Sequence, residues 1–207
     1  MDEDNAAKDP AVVDAAYALE NKSFGATTLR RRHLKLIGSR LSLDYTAKGG
    51  QRVRAAIADR TLNRGLAELD DLPGKTLFRW IDAGGTSRPV TSEQVNERLA
   101  ELVEDAGATA KTFRTWNGST AAFEAAMTDE PLTIKALSEA AAARLHNTPT
   151  IARKSYIHPS VLALTETDPA DRAALMEAAP KVDGLARTES ALLHYLDAGA
   201  ASSKSVG

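Results

Sequence analysis

The hydrophobic pattern of this chain changes its period once, close to residue 59, and this change constrains the fold most strongly. Before it, apolar and polar residues alternate over 33–37 and 41–45, with turn residues at 38–39 and 48–50. Alternation is typical of a half-buried strand, and 53–57 continues it. The first part of the chain therefore predicts an extended, basic segment that begins at Thr27, followed by a small antiparallel sheet of three strands.

After residue 59 the apolar residues recur with the period of a helix. Asp59 is a candidate cap before regularly spaced leucines, and Thr91 with Gln94 forms a candidate capping box before another such run. The helices predicted in this way cover 60–72, 92–106, 110–127, 132–145 and 149–155, with one before the sheet at 10–21 and two more after 168 and after 188. The fold class is therefore α+β, mainly helical with one small three-stranded sheet.

Length and composition limit the domain organisation. The 207 residues can bury the core of one domain, with or without an appendage, and we expect a disordered N-terminus at 1–9, a folded domain at 10–198 and a flexible tail at 199–207. The chain has no cysteine, which excludes disulfides and suits a cytosolic protein. Its acidic start is unlike a signal peptide, and no apolar run is long enough to span a membrane.

Positive charge is concentrated in one segment, although the formal net charge of the chain is −2. Between 22 and 54, nine lysine and arginine residues face a single acidic residue, Asp44, so the segment carries +8. Such a local basic face is typical of a protein that binds phosphate backbones, although an incidental charged surface gives the same count.

Tyr156 is the candidate reactive residue. Thr148 is a suitable helix cap, and proline is favoured at the first helical position that Pro149 would occupy. The short helix that follows places Tyr156 at its C-terminal end. The helix dipole disfavours anions there, so Arg153 and Lys154 would have to supply any attraction for a phosphate. The structural alternative is an ordinary half-buried tyrosine beside a solvated basic face.

Four separated segments carry a further pattern. They are Tyr17 to His33, the hairpin loop Tyr45-Thr-Ala-Lys48-Gly, Lys111-Thr-Phe-Arg-Thr-Trp116, and Leu145-His-Asn-Thr-Pro-Thr-Ile-Ala-Arg-Lys-Ser-Tyr156-Ile-His-Pro159. In their order and spacing they resemble the catalytic domain of the bacterial and poxvirus type IB DNA topoisomerases. The similarity extends over about 17–193.

The resemblance implies a fold, a reaction and a set of residue roles. The fold would be that of the DNA breaking and rejoining enzymes, and the reaction a metal- and ATP-independent transfer of a DNA phosphodiester to a tyrosine. Tyr156 would be the nucleophile, Arg114 would clamp the transition state, and Lys48 would protonate the leaving 5′-oxygen. Asn147 stands where many members have histidine, and its amide can still donate one hydrogen bond.

The resemblance also implies the partners. Double-stranded DNA would be bound, with no cofactor, no metal and no membrane, by a monomer in the cytoplasm at the nucleoid. The residues expected to contact DNA are Lys111, Arg30, Arg31, Arg32, Arg153 and Lys154.

Two departures from the family pattern predict reduced activity. The family's other active-site arginine corresponds to Ala11, and no arginine occurs before Arg30. Loss of one such transition-state donor typically lowers a rate about 10²- to 10³-fold. We also expect that this chain does not include the N-terminal lobe that completes the family's clamp around DNA.

Two other functions remain compatible with these residues. A tyrosine recombinase shares the tyrosine, lysine and arginine chemistry, but it usually carries a His-x-x-Arg box, where this chain has Lys111-Thr-Phe-Arg114. A catalytically impaired DNA-binding relative would keep the basic segment without the turnover.

Overall fold

The computed structural model describes residues 23–37, 40–47, 50–70, 72–105, 107–128 and 131–204, without the side chains of 36, 37, 67, 70 and 200–204. The helix predicted at 10–21 and the position of Ala11 lie outside these residues. The chain divides into two compact units, one ending at Ala110 and one beginning at Lys111. No feature of the sequence predicts this boundary.

A three-stranded antiparallel sheet forms the first unit's centre, in the order β1 (Leu34–Ile37), β2 (Arg40–Thr46) and β3 (Arg52–Ile57). The predicted sheet is thus confirmed. Leu41 is buried on its apolar face, together with Val53 and the half-buried Leu43. Neighbouring side chains alternate between the faces of a strand, so the opposite face carries the polar residues. These include Lys35, Ser42, Asp44 and Arg54.

The segment before the sheet differs from the expectation. The sequence predicts an extended segment beginning at 27, whereas the structure has 3₁₀ turns at Ala26–Thr28 and Arg31–His33. His33, which the alternation includes, belongs to the second turn, because its side-chain Nδ1 accepts a hydrogen bond of 3.1 Å from the Arg30 N–H. The strand therefore begins one residue later, at Leu34.

The rest of the first unit contains two helices and a hairpin. Helix α1 (Arg60–Asp70) starts at the predicted cap, since Asp59 Oδ1 accepts from the N–H groups of Thr61 and Leu62. Strands β4 (Arg79–Ile81) and β5 (Ser87–Pro89) pair in a hairpin that the sequence does not predict, because three residues are too few for an alternating pattern. Helix α2 (Ser92–Val103) begins at the predicted Thr91 capping box.

The second unit is helical in all its described regular elements. They are α3 (Ala110–Thr128), α4 (Ile134–Leu145), α5 (Pro149–Tyr156), α6 (Pro159–Ala163), a 3₁₀ turn at Leu164–Glu166, α7 (Pro169–Ala178) and α8 (Arg187–Lys204). Helix α3 is central, because its residues from 118 to 123 are buried without interruption. Helix α8 continues to Lys204, into the segment predicted as a tail from 199.

The core of the second unit combines small and large apolar side chains. Phe123, Leu137, Val161 and Leu192 are fully buried, and several alanines pack between them. Small residues allow helices to approach closely, and this core holds the ends of α3, α4 and α5 in place. None of the helices in the described part of the chain has the length and apolarity needed to cross a bilayer.

Candidate active site

Helix α5 places Tyr156 as its last residue, as predicted. Thr148 is the N-cap, its hydroxyl accepts from the Ile151 N–H, and Pro149 occupies the first turn. Ala152 is fully buried and anchors the helix on the core. The chain turns to an extended conformation at Ile157, so α5 ends at the residue that carries the candidate nucleophile.

Tyr156 and Tyr195 are the two tyrosines of the second unit, and their hydroxyl groups differ. The Tyr195 hydroxyl donates a hydrogen bond of 2.9 Å to the Ser160 carbonyl, and burial raises the pKa of this phenol. Tyr156 is half-buried, and no hydrogen bond to its hydroxyl group is found among the described residues. The Tyr156 hydroxyl is therefore the one that can react with an external group.

Arg114 lies over the Tyr156 ring. Its guanidinium carbon is 5.0 Å from the ring centroid, and Nη2 donates a hydrogen bond of 3.1 Å to the Leu145 carbonyl. This bond uses one of the five N–H groups of a guanidinium, so others can bind a phosphate oxygen. The side chain is exposed. Arg114 thus presents a planar cation beside the candidate nucleophile.

Asn147 lies two residues after the carbonyl that holds Arg114. Its Oδ1 accepts a hydrogen bond of 2.9 Å from the Thr148 N–H, and this contact orients the amide. Within the described residues the NH₂ group donates to no protein acceptor, so it can donate to a ligand.

The preceding residue, His146, has φ 50° and caps α4 with its backbone, and its side chain is exposed. Glycine suits such a left-handed cap best.

Trp116 and Glu189 tie the start of α3 to the start of α8. The indole N–H donates a hydrogen bond of 3.0 Å to Glu189 Oε1, and the Ala186 N–H donates one of 2.9 Å to Oε2. The Ala186 bond, and then the Trp116 bond, lower the pKa of the Glu189 carboxyl. No local pattern signals this contact, because the two residues are far apart along the chain.

The predicted DNA contacts of the second unit are exposed cations. Lys111 lies one turn before Arg114 on α3. Arg153 and Lys154 line an open groove of about 490 Å³ between α4 and α5, and Lys135 contributes a third cation. The sequence interpretation missed Lys135, because the pairing of α4 with α5 brings it to the groove.

The remaining predicted residues belong to the first unit. Lys48 lies outside the described residues, in the loop between β2 and β3, so its role stays a prediction. Arg30 and Arg32 lie over the Phe24 ring, at 5.3 and 5.8 Å, and Arg31 bonds to the Leu72 carbonyl. Burial, and then the charge of Arg32, lower the pKa of His33 beneath them. Arg30, Arg31 and Arg32 are thus partly engaged in holding the first unit together.

The structure places Arg114 against Tyr156, and Asn147 follows two residues after the Leu145 carbonyl that Arg114 binds. A tyrosine hydroxyl can act as a nucleophile, and guanidinium and amide N–H groups can stabilise developing negative charge on an oxygen. The site therefore combines a candidate nucleophile with candidate anion-binding groups.

Comparison with known proteins gives the family. Residues 14–162 match the family model of the eukaryotic DNA topoisomerase I catalytic core, and the chain belongs to this family. DNA topoisomerase 1B of Acanthamoeba polyphaga mimivirus is 28% identical over 170 residues, which cover 74% of this chain and 50% of the viral protein. The chain thus spans half the length of this relative.

Proposed function

We propose that the chain carries the catalytic part of a type IB DNA topoisomerase, which relaxes supercoiled DNA by breaking and rejoining one strand. The observation that supports this most directly is the Tyr156 hydroxyl, which is not hydrogen-bonded within the described residues and lies beside the Arg114 guanidinium. Family membership supports the same reaction.

Each group has a step in this reaction. The Tyr156 oxygen attacks the phosphorus, the bond from phosphorus to the 5′-oxygen breaks, and a 3′-phosphotyrosyl link forms. The phenol loses its proton and the 5′-oxygen gains one, so the step is balanced and consumes no ATP. Arg114 and the Asn147 amide donate to the non-bridging oxygens, where negative charge develops. Lys48 is proposed, by resemblance, as the proton donor. The reverse steps reseal the strand.

The rate is proposed to be reduced, because Ala11 stands where the family pattern has an arginine. Double-stranded DNA is the proposed substrate, bound by a monomer. The bacterial-type lineage and the location in the cytoplasm at the nucleoid stay predictions.

The test combines plasmid relaxation with trapping of the covalent adduct. A suicide duplex that releases its short downstream strand, which carries the new 5′-hydroxyl end, should trap a 3′-phosphotyrosyl adduct in the presence of EDTA, and Tyr156→Phe should abolish it. Tyr195→Phe is the matched control, because it removes a phenol hydroxyl that is already bonded to the Ser160 carbonyl. It should still form the adduct.

The possible outcomes separate the functions. Slow relaxation of a generic plasmid supports the topoisomerase, since a recombinase needs its own paired sites. DNA binding without any adduct, unchanged in Tyr156→Phe, would contradict the enzyme and leave the impaired DNA-binding relative.

A further inference from the structure

Gly118 occupies the middle of α3, four residues after Arg114, so the two residues lie on the same side of the helix. Glycine is the poorest helix former apart from proline. Four of the later buried residues of α3 are alanines, at Ala121, Ala122, Ala125 and Ala126. A glycine therefore disagrees with the local preference of this helix, and a packing reason for it is expected.

The packing reason is the backbone of Tyr156. A Cβ atom added at residue 118 would lie 2.4 Å from the Tyr156 carbonyl oxygen and 3.1 Å from the Tyr156 Cβ. It would also lie 3.0 Å from a methyl group of Leu145. The methyl group can rotate away, but the carbonyl belongs to the main chain at the end of α5. Only a residue without a Cβ atom allows this approach.

Ser119 holds the same end of α5 by hydrogen bonds. Its side chain is 2% exposed, its Oγ accepts from the His158 N–H at 2.9 Å, and it donates a long bond of 3.5 Å to the Tyr156 carbonyl. Helix ends leave backbone groups without intrahelical partners, and Ser119 satisfies one on each side of Ile157. Gly118 thus sets how close α5 comes, and Ser119 sets where it ends.

We infer that Gly118 and Ser119 are positioning residues, which fix the end of α5 against α3 and so hold Tyr156 beside Arg114. One turn of a single helix then carries both the arginine and the contact that places the nucleophile. The distance of 5.0 Å between the guanidinium and the ring follows from that turn. The catalytic consequence rests on the proposed function, whereas the placement of Tyr156 does not.

The first test compares Gly118→Ala with Gly199→Ala. Gly199 is the matched control, since it lies in helix α8 and an added Cβ would meet nothing within 4 Å. With fluorotyrosine incorporated, Tyr156→Phe assigns the Tyr156 resonance by ¹⁹F NMR. This resonance should move in Gly118→Ala and stay in Gly199→Ala, and the Tyr195 resonance should stay in both.

The second readout of these variants is the single-turnover rate of adduct formation. A displacement of about 1 Å costs on the order of 10²-fold in rate, so Gly118→Ala should slow the step by about that factor. Noncovalent DNA affinity should be the same in Gly118→Ala and Gly199→Ala when it is measured with Tyr156→Phe added to each, which prevents cleavage. A general loss of structure would lower the affinity as well.

Ser119→Ala removes the hydrogen bonds to the end of α5 without adding volume. If Gly118→Ala does not fold, this variant still tests whether the contact with α3 positions Tyr156. Its matched control is Ser190→Ala, because Ser190 is also buried, accepts from a backbone N–H and donates to a backbone carbonyl. Both variants should lose stability, but only Ser119→Ala should slow adduct formation and move the Tyr156 resonance.

An unmoved Tyr156 resonance in Gly118→Ala, or equal adduct rates in Ser119→Ala and Ser190→Ala, would overturn the inference. Failure of the wild-type chain to form any adduct would instead overturn the proposed function. The NMR comparison would then still decide whether Gly118 and Ser119 place Tyr156.

Discussion

Arg114 combines a structural contact with a free cationic surface. One N–H binds the Leu145 carbonyl, and the guanidinium carbon lies 5.0 Å from the centroid of the Tyr156 ring. A lysine at this position would keep the charge, but its ammonium is a compact point charge without a planar fork of donors. The shape of the group can therefore be separated from its charge by experiment.

We expect Arg114→Lys to lower the single-turnover rate of adduct formation by about 10²- to 10³-fold, because the transition state no longer receives the paired donors. Affinity for DNA should change little, since the charge remains. Lys111→Ala is the contrasting variant on the same helix. It should weaken binding and leave the rate at saturating DNA unchanged. Wild-type cleavage by Arg114→Lys would show that Arg114 does not contact the reacting phosphate.

His146 and Glu104 are the described non-glycine residues with positive φ, at 50° and 54°. Each caps the C-terminal end of a helix, where the left-handed conformation costs a side chain about 1–2 kcal/mol. Their conformation is thus set by the helix ends and not by their side chains.

His146→Gly should raise the free energy of unfolding by about 1 kcal/mol, and Glu104→Gly should do the same at the end of α2. Urea denaturation measures both. Adduct formation should not change in His146→Gly. A slower reaction together with higher stability would mean that the imidazole, and not Asn147 alone, replaces the family histidine.

At the scale of elements, the carboxylate of Glu189 joins α3 to α8 through Trp116 and the Ala186 N–H. Both bonds favour the ionised carboxyl, which is why its pKa lies below the usual 4.5. The unfolded chain binds the proton more readily than the folded chain. The stabilisation is therefore present above pH 4.5 and is lost as the pH falls through the lower folded-state pKa.

Glu189→Gln should lower the free energy of unfolding at pH 7 by about 1–2 kcal/mol, because a neutral amide has one acceptor for two donors. The difference between wild type and variant should shrink as the pH falls below 4.5, and denaturation curves from pH 3 to 7 measure it. A difference that stays constant over this range would contradict the role of the charge.

The elements with a local signal could be predicted from sequence, and the contacts between distant segments could not. Asp59, Thr91 and Thr148 cap their helices as expected, since a cap acts on N–H groups two or three residues away. The three-residue strands β4 and β5 and the 3₁₀ turn at Arg31–His33 were missed, because each is too short to show a hydrophobic period.

The candidate site shows the same division. Its side chains were found through motifs, but the contacts that position them depend on which helices pack together. Gly118 meets Tyr156 only because α3 crosses the end of α5, and Glu189 meets Trp116 only because α8 starts beside α3. No spacing of residues along the chain indicates these contacts. The chain's division into two units also follows from packing.

At the scale of the whole molecule, the formal net charge is −2, but positive charge is concentrated on one face of the three-stranded sheet. This face carries Lys35, Arg40, Arg52 and Arg54, all exposed. Asp44 lies among them, bonds to Arg52 at 2.8 Å and is 3.6 Å from Arg54. The hydrogen bond from Arg52 lowers the pKa of Asp44, so the carboxylate stays charged and neutralises part of the face.

DNA affinity should therefore respond in opposite directions to two changes on this face. Asp44→Asn frees two arginines and should tighten binding. Lys35→Glu and Arg54→Glu should weaken binding. They should also make the negative slope of log affinity against log salt less steep, by about 1 for each phosphate that the variant no longer binds. Arg98→Glu makes the same charge change on α2, outside the sheet, and should have a smaller effect. If the sheet binds DNA, a charge reversal on the sheet should weaken binding more than the same reversal on α2. Binding that does not depend on salt, or an equal decrease in affinity in all three variants, would contradict this role.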